Sequence, residues 1–187
     1  MVLLSTRVPL SKSMSQKSSS KLENHLERVA YHEAGHALLF SCFGRPVDSI
    51  TIHPDFSGET NKEHLEFDEE NPDLPVLVRC QQTAIAVAGC ISEGKYIEGD
   101  PLILLYGGGL DDLTHIQRVQ VPKETMFELI DHFVTPIINN HWDKIDHLSK
   151  ELIKHRKLQK DCISRCFDNL HSPSKYNQRL EELIGPA

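Results

Sequence analysis

The chain has 187 residues, 39% of them hydrophobic and 25% charged, with a formal net charge of −7. That length builds one core of good size, or one domain with a small appendage, and the composition is that of an ordinary globular protein. A net negative charge offers no basic face against phosphate repulsion, which argues against nucleic acid as a partner and, more weakly, against an anionic membrane surface.

Residues 1–20 are rich in Ser, carry Lys and Arg and contain no acid, so they read as a disordered leader. Their start, MVLLSTRVPL, lacks the apolar stretch of about 7–15 residues that a secretion signal requires. A cytoplasmic setting follows, or an organelle stroma or matrix if residues 1–20 act as a transit peptide. No apolar run approaches the roughly 18 residues of a membrane-spanning helix.

Ser20-Lys21-Leu22-Glu23 fits a capping box. From it the spacing of Leu22, Leu26, Val29, Ala30, Ala34, Ala37 and Leu38 predicts a helix as far as Phe43, with Gly44 as its stop. Residues 47–52 are β-branched and alternate, predicting a short strand closed by Pro54. Residues 56–73 are polar and acidic, with a second strand expected near 64–67. A buried helix rich in Ala and Val is predicted from 74 to about 94, and residues 99–109 read as a loop with an apolar insert. A third helix is expected over 113–119. A long one follows over 123–157, which Pro136 should kink or divide. Trp142 should anchor that long helix, while His141, His147 and His155 should face solvent. A short helix near 161–167 precedes a polar tail. The fold class is mainly α with one small β element, organised as a leader (1–20), a domain (21–170) and a tail (171–187). The five cysteines are an odd number in mostly apolar stretches, which suits reduced thiols. Cys162 and Cys166 share a helix face without a matching second pair and read the same way.

The chemistry lies at His32-Glu33-Ala34-Gly35-His36. Residues four apart on a helix differ by about 40° in direction and about 6 Å in height. His32 and His36 can therefore offer ring nitrogens to one zinc ion, Zn²⁺, at roughly 2.0–2.1 Å. Glu33 is rotated by about 100° but is adjacent, and long enough to take a proton from water beside the metal. Catalytic zinc takes three protein ligands and keeps a fourth position open. The candidates for the third are Glu93, Asp111, Asp112, His115 and the Glu-rich stretch after Glu59.

RVAYHEAGHALL resembles the peptidase domain of the FtsH-type ATP-dependent zinc metalloproteases. PVDSITIHPDFSG resembles the strand and turn after that family's zinc helix. AVAGCISEG is similar to its A-G-x-x-x-E helix, and GGGLDDLTHI to its T-G-A-x-N-D-L segment. The similarity spans roughly residues 22–120, with weaker helical similarity to about 168, and the order and spacing of the segments agree. The resemblance implies a helical zincin-type fold, with His32 and His36 as ligands, Glu33 as catalytic base and Asp112 as third ligand. It gives Glu93 the part of orienting a ligand imidazole. Asp111 stands where the family has Asn, which leaves two adjacent carboxylates, of which Asp112 is the expected ligand.

The implied activity is zinc-dependent endopeptidase action on unfolded proteins or peptides. The alternative is a zinc-stabilised, protease-derived binding or regulatory module with little cleavage of its own. The family's membrane anchor and unfoldase are absent from this sequence, so unfolding energy would come from an ATPase partner in trans. Residues 89–95 match G-x-x-x-x-G-K, but Tyr96 replaces the Ser or Thr that would hold magnesium, and a helix is expected there. The acidic stretch after Glu59 reads as a solvated loop; a preference for basic substrate segments would be its functional reading.

Overall fold

Ala30, Ala34, Ala37 and Leu38, which set the helical rhythm of the first segment, are fully buried in helix α1 (Lys12–Cys42). The structure is a computed structural model and describes residues 12–62, 74–107 and 110–185. Helix α1 begins at Lys12 and not at the Ser20 capping box. Residues 12–20 hold neither Pro nor Gly, so nothing interrupts a helix that extends back through them. Of the expected disordered leader, residues 12–20 are thus helical and residues 1–11 lie outside the described part. At its other end α1 stops as predicted. Gly44 takes φ +69°, its N–H bonds the Ser41 carbonyl, and the Arg45 N–H bonds that of Phe40 at 2.9 Å. This is the double bond of a Schellman turn, and its left-handed residue favours glycine.

The chain then enters a three-stranded antiparallel sheet of order β2-β1-β3. Strand β1 (Val47–Ile52) is central, pairing Ile50 with Thr60 of β2 (Gly58–Lys62) and with Leu158 of β3 (Lys157–Gln159). The β2 strand lies earlier than the second strand expected near 64–67, a stretch outside the described residues. Helix α2 (Val76–Ile97) follows Pro75 and packs along α1. Residues 80–92 are buried throughout, which explains the unbroken run of small and apolar side chains from Thr83 to Ser92.

Where a loop was expected over 99–109 there is a short helix, α3 (Pro101–Gly107). Asp100 starts it by accepting the Leu102 N–H on its carboxylate at 2.8 Å. Helix α4 (Leu110–Val119) carries Asp111 and Asp112 in its first turn.

The long helix predicted over 123–157 is divided, but not at Pro136. Helix α5 (Lys123–Glu128) runs through a π-helical segment (Leu129–Val134) into α6 (Thr135–Asn140). The break comes at His141, and α7 (Trp142–His155) then starts. Proline has no N–H for the His132 carbonyl four residues back, and Arg179 donates to that carbonyl from outside at 2.9 Å. The π turn lies immediately before Pro136 and accommodates it without ending the helix. The last residue of the expected helix, Lys157, opens β3 instead, and α8 (Lys160–Cys166) follows.

The expected polar tail folds as helix α9 (Pro173–Ile184), with Tyr176 and Leu180 buried against the core. Trp142 is the expected anchor: Tyr31 of α1 stacks between it and Tyr96 at centroid distances of 5.4 and 4.1 Å. His147 and His155 are exposed as expected. His141 is half-buried beside the Tyr176 hydroxyl at 3.1 Å. All five cysteines are free thiols. Among the described residues no helix is long and apolar enough to cross a membrane.

The contact between α1 and α2 depends on glycine. A Cβ on Gly35 would stand 2.7 Å from the Ser92 Cβ and would also strike the Ala88 carbonyl. Gly35→Ala should therefore push the helices apart and lower stability by about 1–3 kcal/mol, despite its better helix propensity. Urea unfolding measures this, and an unchanged midpoint would show slack that the packing does not suggest.

Candidate metal centre

Helices α1, α2 and α4 meet where His32 and His36 project from α1. His32 Nε2 lies 3.0 Å from Asp112 Oδ2, and His36 Nε2 lies 3.5 Å from Asp112 Oδ1. One ligand atom from each of the three residues falls within 4.8 Å of the other two. Tetrahedral bonds of roughly 2.0–2.1 Å place donor atoms about 3.3 Å apart, so this set has the dimensions of a zinc shell.

The other ring nitrogens are already engaged. His36 Nδ1 donates to the Ile85 carbonyl at 2.8 Å, and His32 Nδ1 donates to Glu93 Oε2 at 3.2 Å. Both Nε2 atoms are thereby aimed at Asp112, which is how outer partners orient ligating imidazoles. Glu93 is itself fixed by Arg28, whose Nη2 and Nε both reach its Oε1, at 2.6 and 2.7 Å. Gly89 leaves the room: a Cβ there would come within 2.5 Å of His36 Nε2 and 2.6 Å of His32 Nε2.

Glu33 points the other way around α1, towards the sheet, and is only 6% exposed. Its Oε2 accepts the Thr60 hydroxyl at 2.7 Å, and Gly58 lies so close that a Cβ would meet the carboxylate carbon at 2.7 Å. The carboxylate is thus held by β2 while still lining the same cleft as the two imidazoles. That cleft, of about 680 Å³, is walled by α1, by residues 56–60 and by parts of α2 and α4.

Burial alone would lower the pKa of both imidazoles, but the facing carboxylates outweigh it and raise them, Asp112 for both and Glu93 also for His32. Burial would likewise raise the Asp112 pKa, and the two imidazoles overcome it, holding the carboxyl well below the usual range. Cys90, next to Gly89, is pushed up, first by burial and then by Asp112 and Glu93, which favours the thiol, and it lies outside the three-residue group.

Among the described candidates for the third ligand, Asp112 alone faces both Nε2 atoms; Glu93 meets only the far nitrogen of His32. Asp111 is exposed and His115 half-buried, both lining the cleft outside the three-residue group. Glu59 faces His53 at 3.3 Å. Residues 63–73, with the remaining acids of that stretch, lie outside the described part. The sequence offered no sign of Thr60, Gly58 or the Ile85 carbonyl as supports, since each depends on pairing distant in the chain. The G-x-x-x-x-G-K match falls wholly inside α2 and forms no loop. No family model matches the chain, and no curated protein matches it closely.

Asp112→Ala should lose zinc on mild chelation far more readily than Asp111→Ala, because it removes a ligand oxygen and not merely nearby charge. Glu93→Ala should sit between them, weakening affinity about 10–100-fold. Metal content after dialysis orders the three variants. If Asp111→Ala is the one that loses zinc, the register of α4 is off by one residue. Protons and zinc compete for the same Nε2 lone pairs; the facing carboxylates raise both imidazole pKa values, that of His32 to about 10, and so favour the proton. Zinc affinity should therefore tighten as pH rises, by roughly tenfold per unit for each proton displaced. Competition against a chelator of known affinity at pH 6, 7 and 8 measures it. A flat profile would contradict the proposed coupling.

Proposed function

We propose that this chain is a zinc metalloendopeptidase, with His32, His36 and Asp112 holding the metal and Glu33 as general base. The observation that carries the reading is the convergence of the two Nε2 atoms on Asp112 beside a separately held carboxylate in one open cleft. The likeness of RVAYHEAGHALL and the later segments to FtsH-type peptidases agrees with it. When bound, zinc would supply a Lewis acid that polarises a carbonyl and makes water more acidic.

The remaining work falls to the chain's own residues. Glu33 takes the proton from water as its oxygen attacks the peptide carbonyl. It then delivers that proton to the departing amine, so base and acid are one group in turn. The Thr60 hydroxyl holds the carboxylate on Oε2, which leaves Oε1, lying against Gly58, for this exchange. Strand β2 pairs with β1 on one side, and among the described residues no strand covers its other edge. With Ser57, Gly58, Glu59 and Thr60 lining the cleft, that edge suits an extended substrate bound by main-chain hydrogen bonds. Such binding requires unfolded protein or peptide.

Glu33→Gln should cut hydrolysis of casein about 10²–10⁴-fold while zinc content stays at one per chain. Equal cleavage by both proteins would remove Glu33 from the chemistry and the endopeptidase reading with it. The activity should also be indifferent to ATP and should spare folded proteins, whose backbone opens too rarely to lie across the site. Degradation of a folded, tagged reporter with and without ATP checks this. Stimulation by ATP without a partner would reveal a nucleotide site.

A further inference from the structure

Arg45 lines the same cleft, and none of the described carboxylates there is paired with it. Its backbone N–H closes the turn at the end of α1 by bonding Phe40, so the residue follows the metal-facing helix directly. The side chain is half-buried, and its hydrogen-bond partner is neutral: Nη2 donates to Gln81 Oε1 at 2.5 Å. Gln81 in turn donates from Nε2 to Asn177 at 2.8 Å, which holds the acceptor in place. Among the described residues no carboxylate pairs with Arg45, and burial disfavours its charge with no opposing attraction. The contrast with Arg28, in the same cleft but locked to Glu93, is direct. A guanidinium taken from water without a counter-charge is costly, and its fork is shaped for a carboxylate.

We propose that Arg45 determines specificity by receiving a carboxylate of the bound peptide, either an Asp or Glu side chain or the C-terminal carboxylate. The inference rests on the peptidase reading of the cleft. Phe40, Gln82, Ile85 and Ala86 form the wall shared with Arg45, and Ile85 also carries the carbonyl that holds His36. Given helical and extended rises of about 1.5 and 3.3 Å per residue, the carboxylate falls within about four residues of the bond to be cut. This assigns the cleft a taste for acidic peptides, opposite to the basic preference that the acidic stretch after Glu59 would suggest.

The test is binding, measured on the full chain carrying Glu33→Gln and loaded with zinc. Short fluorescein-labelled peptides differ in one arm by Glu against Gln, and in the other by a free against an amidated C-terminus. Fluorescence anisotropy should show the carboxylate form binding about tenfold tighter in at least one arm, and the arm identifies the source. Adding Arg45→Gln should erase the difference, and Arg45→Lys should keep part of it. Equal affinities in both arms, no binding of any peptide, or a preference that survives Arg45→Gln would each overturn the proposal. Casein cleavage by the unsubstituted chain judges the underlying reading separately. Cleavage without carboxylate preference defeats this inference alone, whereas preference without cleavage defeats the peptidase reading alone.

Discussion

Everything in the site depends on how closely α1 and α2 approach. Gly35 of α1 admits the α2 backbone at Ala88, and Gly89, the next residue of α2, leaves space for the imidazoles of α1. Two absent side chains thus serve opposite ends: one lets the helices touch, the other prevents the contact from filling the site. Helix interiors ordinarily disfavour glycine by about 1 kcal/mol, so its use at facing positions is explained by packing and not by propensity. The same approach brings the Ile85 carbonyl and Glu93, both on α2, to the Nδ1 atoms of His36 and His32.

That closeness also explains the electrostatics. Two imidazoles and two carboxylates share a largely buried space, a grouping that burial alone would neutralise. Opposite charges oppose that effect because each member has a partner. Asp112 meets both rings, Glu93 meets His32 and Arg28, and Glu33 is kept apart by Thr60 on the neighbouring sheet. For the proposed reaction, keeping Glu33 on a different support would let it move a proton without competing for the metal. The sheet is small, but its place beside α1 is what separates Glu33 from His32, His36 and Asp112.

The HExxH stretch was legible because helix geometry alone turns a spacing of four into a shared direction. The burial of α2 and the glycine stop of α1 were legible for similar local reasons. The acid that joins the two imidazoles was not: several acids lie at suitable distances along the chain, and it is the packing of α4 on α2 that brings Asp112, and not Asp111, to them. Resemblance to a known peptidase family pointed to Asp112, where spacing could not. Misreadings cluster where local rules compete with tertiary context. Ser20 is a good cap that the helix passes through, and Pro136 is tolerated because a π turn and Arg179 accommodate the missing bond. The polar stretch after residue 171 hides Tyr176 and Leu180, whose burial as a helix face a composition reading averages away.

The central claim is that His32, His36 and Asp112 form one zinc site. Zinc K-edge X-ray absorption on the purified, zinc-loaded chain tests it most directly. The account predicts one zinc per chain and a nitrogen and oxygen shell at about 2.0–2.1 Å, with imidazole scattering from two histidines. A sulfur shell at about 2.3 Å would place the metal on cysteine and contradict the account. So would a spectrum with no imidazole contribution.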